Sequence, residues 1–106
     1  MRVLFDQGTP LPLRRLLQHH EVQTAYECGW SQLKNGELLD SAERKGFDLL
    51  VTTDMNLRYQ QNLDSRRIGT VVLRTTSWPR IEAAAAAVVS AIDGLTAGGY
   101  VEVSVP

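Results

Sequence analysis

Apolar residues arrive along this chain in short unbroken runs, with helically spaced stretches between them. Val3-Leu4-Phe5 is such a run, closed by Asp6, and predicts a strand buried on both faces. Thr9 is placed to cap a helix that Pro10 opens, with Leu13, Leu16 and Leu17 on one face and Arg14 and Arg15 turned away. Glu21 to Ala25 is a weaker strand candidate, and Gly29 to Gly36 reads as loop. Asn35 suits a helix N-cap, with Leu38, Leu39 and Ala42 as the buried stripe and Gly46 as the stop. Phe47 to Thr53 is the strongest strand signal. Met55 to Arg67 is polar, enough for one helical turn plus loop, and Ile68 to Leu73 is another β-branched strand. Pro79 opens a long helix with Ile81, Ala85, Val88 and Ile92 on one side, broken by Gly94, Gly98 and Gly99. Tyr100 to Val105 alternates, Val101, Val103 and Val105 against Glu102 and Ser104, as an edge strand with one solvated face does.

Strand and helix signals in alternation predict a three-layer α/β/α domain with a mainly parallel sheet of about five strands. A chain of 106 residues has room for one domain, residues 1–106. Its folded surface is expected at about 5,900 Å². An apolar content of 43% with a net charge of −1 excludes disorder as the main state. No apolar run approaches the ~20 residues of a membrane helix. Asp6 interrupts any signal-peptide core, so a cytoplasmic location is expected. Cys28 is the only cysteine and reads as a small apolar residue rather than a nucleophile. His19 and His20 have no cysteine near them in sequence, which argues against zinc. Glycine-rich nucleotide loops and a G-x-S-x-G elbow are absent.

In parallel α/β sheets, ligands bind beyond the carboxyl ends of the strands. Two strands end there in an acid, Asp6 and Asp54, and Glu37 opens a helix expected at the same rim. Converging carboxylates repel one another, and Mg²⁺ or Mn²⁺ relieves that repulsion through oxygen ligation. Asn35 and Asn56, with Thr52 and Thr53, offer neutral oxygens to complete a shell. A metal so held activates water and stabilises charge on a phosphodiester. Each acid also has a plainer reading: Asp6 tying the loop before Thr9, Glu37 complementing a helix dipole, Asp54 forming an Asx-turn. Between Met55 and Ile81, Arg58, Arg66, Arg67, Arg74 and Arg80 face only one acid, Asp64. Arg58, Arg66, Arg67 and Arg74 are candidates for phosphate contact and Tyr59 for base stacking, against the alternative of arginines scattered over several faces.

Val3-Leu4-Phe5-Asp6 with Pro10, then Asn35-Gly36-Glu37-Leu38-Leu39, Ala42-Glu43, Gly46-Phe47-Asp48 and Leu50-Val51-Thr52-Thr53-Asp54, resembles the small PIN-like proteins of the DUF5615 group. The likeness runs over residues 1–73 and is strongest over 35–62. It implies an α/β/α metal-dependent ribonuclease, with Mg²⁺ or Mn²⁺ as cofactor, RNA as substrate and an antitoxin protein as partner where the chain is the toxin of a toxin–antitoxin pair. Asp6 matches the family's first acid and Asp54 its later strand-end acid. The chain departs from the family at Gln7, Asn35 and Asn56, where acids are common, so Glu37 is left as the third carboxylate. Those departures motivate a second expectation, a catalytically inactive PIN-like module that binds RNA or a protein partner. A third is a homodimer paired through the strand at Tyr100 to Val105.

Overall fold

The computed structural model describes every residue from Met1 to Pro106. Five strands form one sheet, β1 (Arg2–Phe5), β2 (Glu21–Thr24), β3 (Leu49–Thr52), β4 (Gly69–Leu73) and β5 (Tyr100–Val103). Their spatial order is β2-β1-β3-β4-β5, and every neighbouring pair is parallel. The buried runs occupy the middle of the sheet, and the alternating segments, β2 and β5, take its edges. A short 3-10 helix (Leu11–Leu16) follows β1, and helix α1 (Asn35–Arg44) links β2 to β3. A single turn, α2 (Leu57–Gln60), follows β3, and α3 (Trp78–Ala83) with α4 (Ala85–Gly94) links β4 to β5. The folded surface is 5896 Å². No helix is long and apolar enough to cross a membrane.

Strand alternation divides the core into two layers. Val3, Phe5, Leu49, Val51, Val71 and Leu73 face the 3-10 helix, α3 and α4, meeting Leu13, Leu17, Ile81, Val88 and Ile92. Leu4 and Leu50 face the other way, onto Leu38, Leu39 and Ala42 of α1 and Leu57 of α2. This is the three-layer α/β/α arrangement expected from the pattern, with an all-parallel sheet.

Connections β1–β2 and β4–β5 run over the same face but toward opposite edges, so they have opposite hands. The two connections over the other face share the hand of β1–β2. The β4–β5 connection therefore stands alone against the near-universal single hand of such crossovers. Coverage supplies a physical reason. The 3-10 helix is too short to shield more than the β1–β2 flank, and α3 with α4 covers the remaining apolar face of β3, β4 and β5.

Local details depart from the sequence expectations. The chain before Leu11 begins its turn at Pro10, with no side-chain cap, and the Thr9 hydroxyl is used elsewhere. Lys34, not Asn35, holds the N-cap position of α1. The long helix after Pro79 is two helices, capped by the Ser77 hydroxyl and interrupted at Ala84 (φ −106°, ψ 23°). The break falls in an alanine run whose propensity favours continuation, so tertiary fit decides it. Arg66, with its side chain only 16% exposed, bonds Asp40 and Glu43 of α1 at 2.8 Å each. Glu43 also accepts from the Arg67 backbone N–H at 2.8 Å. Burial alone would raise the Glu43 pKa, but these donors hold it below its usual value.

Thr70 of β4 is fully buried, and its hydroxyl has no hydrogen-bond partner. An unmatched buried hydroxyl costs about 1–3 kcal/mol, whereas an apolar isostere costs nothing there. Thr70→Val is therefore expected to raise stability by about 1 kcal/mol in urea denaturation. A loss of similar size would show that the hydroxyl is satisfied in solution.

Candidate functional site

Asp6 stands one rung beyond the Phe5↔Val51 pair of β1 and β3 and keeps the ladder going through its backbone N–H to the Val51 carbonyl, at 3.1 Å. The same step places it beside Thr52. This is the point where the chain leaves β1 over one face and β3 over the other, the crevice in which doubly wound sheets bind ligands. Asp6 Oδ1 accepts from the Gly8 N–H at 3.1 Å and the Thr9 hydroxyl at 2.9 Å, and Oδ2 accepts from the Thr52 hydroxyl. Thr9 Oγ1 also lies 2.8 Å from the Val51 carbonyl. Its single proton serves one of these two acceptors at a time. A Cβ at Gly8 would meet Thr53 Oγ1, which would have to turn aside to admit a side chain in the turn after Asp6.

Asp6 takes part in none of the molecule's ion pairs. Burial pushes its carboxyl above the ordinary value of 3.8, against the downward pull of Thr52, Thr9 and the Gly8 and Thr9 N–H groups. It is a desolvated acid held by dipoles, with no cation to balance it.

Asp54 joins this unit at one remove. Its backbone N–H donates to Thr52 Oγ1 at 3.0 Å, so one hydroxyl links the Asp6 side chain to the Asp54 main chain. Asp54 Oδ1 accepts from the Asn56 N–H at 2.9 Å, the Asx-turn geometry, ahead of α2.

None of the remaining residues expected at the site hydrogen-bonds the Asp6 side chain. Glu37 is exposed in the first turn of α1. Asn35 gives its side-chain N–H to Gln60 Oε1 of α2. Asn56 is exposed at the start of α2. Asp6, Glu37 and Asp54 do not gather their ligand atoms within 4.8 Å of one another; the one such triple of His, Cys, Asp or Glu side chains is His19, His20 and Asp93.

The arginine-rich stretch is likewise dispersed. Arg66 and Arg67 precede β4, at the amino rim opposite Asp6, and Arg66 is committed to Asp40 and Glu43. Arg58 pairs with Glu102 of β5 at 3.4 Å and lies 4.8 Å over the exposed ring of Tyr59. Arg74, exposed just after β4, stands at the carboxyl rim.

A cleft of about 610 Å³ opens beside Asp6, toward β2 rather than toward Asp54. Gln7, Thr9, Leu11, Thr24, Tyr26 and Glu27 complete its wall, with Tyr26 77% exposed. Glu27 is spoken for: Arg14 grips both its oxygens and the Thr24 N–H donates to one, and these hold its carboxyl below the usual range. Tyr26 and Thr24 were not legible as site residues, because the weak β2 pattern gave no reason to look beyond its end.

A carboxyl whose pKa is raised by folding stabilises the fold fully below its unfolded value, and that stability is lost as pH rises through the folded value. Asp6→Asn keeps an acceptor for Gly8 and removes the desolvated charge. The variant is expected to melt a few degrees higher than the wild type at pH 7, the scale of a ~1 kcal/mol change in a domain of this size. The gap should close below pH 4; equal melting at pH 7 would show that Asp6 carries its charge at no cost. No family model matches this chain, nor does any curated protein or solved structure.

Proposed function

We propose that the protein is a metal-dependent phosphodiester hydrolase acting on RNA, with Asp6 as its principal metal-binding residue. The observation that carries this reading is the half-buried, desolvated Asp6 carboxylate at the sheet's switch point, which no cation of the protein neutralises. The groups around its carboxylate are oxygens, the Thr9 and Thr52 hydroxyls, and Asp54 follows one hydrogen bond farther on, through its main chain to Thr52. That set fits Mg²⁺ or Mn²⁺, which commonly take one or two carboxylates and leave the remaining positions to water and substrate phosphate. The likeness of residues 1–73 to PIN-like proteins supports the same reading.

A bound divalent cation would supply water activation and charge neutralisation at the phosphate. The chain's own residues do the rest. Thr52 and Thr9 hold the Asp6 carboxylate in one orientation, so no reorganisation is needed when substrate arrives. The Gly8 turn brings backbone close to the same carboxylate. Tyr26 offers an exposed ring for a base at the cleft's outer wall, and Arg74 offers a guanidinium to the strand's backbone. Glu37, Asn35, Asn56, Arg66 and Arg67 have no part in this arrangement. In such a role the chain would suit the toxin of a toxin–antitoxin pair.

A second reading is favoured by one observation: Asp6, Glu37 and Asp54 do not form a three-ligand cluster as His19, His20 and Asp93 do. On it the chain is a PIN-like binding module for RNA or a protein, and Asp54 serves only to start α2.

Cleavage of a mixed-sequence RNA in Mn²⁺ decides between them. The first reading expects turnover that EDTA stops, reduced roughly a hundredfold or more in Asp6→Asn, the scale of losing one electrostatic stabiliser. It also expects Mn²⁺ to raise the melting temperature of the wild type and not of Asp6→Asn. Absence of both the cleavage and the shift, with RNA still retained in a binding assay, would establish the second reading.

A further inference from the structure

We propose that His19, His20 and Asp93 form a binding site for a first-row divalent cation of the zinc class, at the rim of the sheet opposite Asp6. The two histidines occupy the turn before β2, and Asp93 lies in the last turn of α4. Both imidazole Nε2 atoms point at one oxygen, Asp93 Oδ1, at 3.2 Å from His19 and 2.6 Å from His20. All three ligand atoms lie within 4.8 Å of one another. Two rings and a carboxylate converge here from positions 73 and 74 residues apart, the fold supplying the third donor that sequence spacing lacks.

Ligand geometry matches the cation class. Bond lengths of ~2.0–2.2 Å to nitrogen and oxygen put tetrahedral ligand atoms ~3.3–3.5 Å apart. The His19–Asp93 distance of 3.2 Å lies just short of that range, His20–Asp93 reaches it by opening less than ~1 Å, and the two ring nitrogens, within 4.8 Å of each other, by closing at most ~1.5 Å. Two imidazoles with one carboxylate select zinc, nickel or copper over Mg²⁺. The fourth position is left for water, and His20, with a side chain only 7% exposed, is already fixed in place.

In the metal-free molecule each Nε2–H donates to Asp93, and the cation takes the place of those two protons. Each ring then carries its proton on Nδ1. At His20 this nitrogen lies 3.2 Å from the Met1 amino group, which must turn away to make room for that proton. Because the rings bind a metal only when neutral, affinity rises with pH. The bound cation would fasten the β1–β2 connection to the end of α4, 73 residues on from His20, and so stabilise the folded state.

Calorimetric titration of the untagged protein with ZnCl₂ at pH 7.5 tests this. Binding of one ion per chain is expected, with a rise in melting temperature that EDTA reverses. His19→Gln and Asp93→Asn are expected to bind roughly tenfold or more weakly, at least the loss seen when a ligand's supporting partner is removed. Their melting in EDTA confirms that they fold. Cys28→Ser should bind as the wild type does, since Cys28 lies beside Trp30 and Phe47, away from the site. No saturable binding, undiminished binding in both ligand variants, or loss in Cys28→Ser would overturn the proposal. Asp6→Asn, which tests the hydrolase reading, should leave this site untouched.

Discussion

Parallel pairing of β1 with β3, Val3 on Leu49, Leu4 on Leu50 and Phe5 on Val51, holds together two of the three inner strands of the sheet through six buried residues. Every other layer is hung on it. The outward alternation of those six residues decides which face receives the 3-10 helix, α3 and α4 and which receives α1 and α2. A slip of one residue would turn each side chain to the opposite face. The same register carries Asp6 to Thr52, so the candidate site is a direct extension of the core's own ladder. The desolvation of Asp6 has the same origin, because a carboxylate one step past a fully buried strand inherits part of that strand's burial.

Charge is distributed unevenly between the two ends of the sheet. At the amino rim, Arg66 binds Asp40 and Glu43, and the histidines converge on Asp93. Those pairs fasten helices to strand ends. At the carboxyl rim, Glu27 is matched by Arg14, while Asp6 is matched only by hydroxyls and N–H groups. Dipoles orient a carboxylate without cancelling its charge, so Asp6 keeps a field that an incoming cation can use. Of the positive charges that looked available for nucleic acid, Arg58 and Arg66 are occupied in ion pairs within the fold.

The unusual hand of the β4–β5 connection and the break at Ala84 belong together. A single straight helix after Pro79 would cover one line across the sheet. Two helices meeting at Ala84 place Ile81 near the 3-10 helix and Val88 and Ile92 farther along the same face. The small side chains of the alanine run allow this close approach, and in exchange the run gives little sequence signal for where the bend falls.

The sequence by itself determined the strands, the α/β/α class, the burial of each helix stripe and the identity of the two strand-end acids. These follow from periodicity and from residue type, which are local. Tertiary structure alone decided which polar groups meet. It tied Asn35 to Gln60, sent Arg66 and Arg67 to the far rim, and brought Tyr26 to the cleft beside Asp6. It also delivered Asp93 to two histidines whose neighbours in sequence offer no ligand. Spacing along a chain specifies contacts within a helix turn or across a pleat. Contacts between elements depend on strand order, register and the face each connection takes, and those are fixed only when the apolar layers close over the sheet.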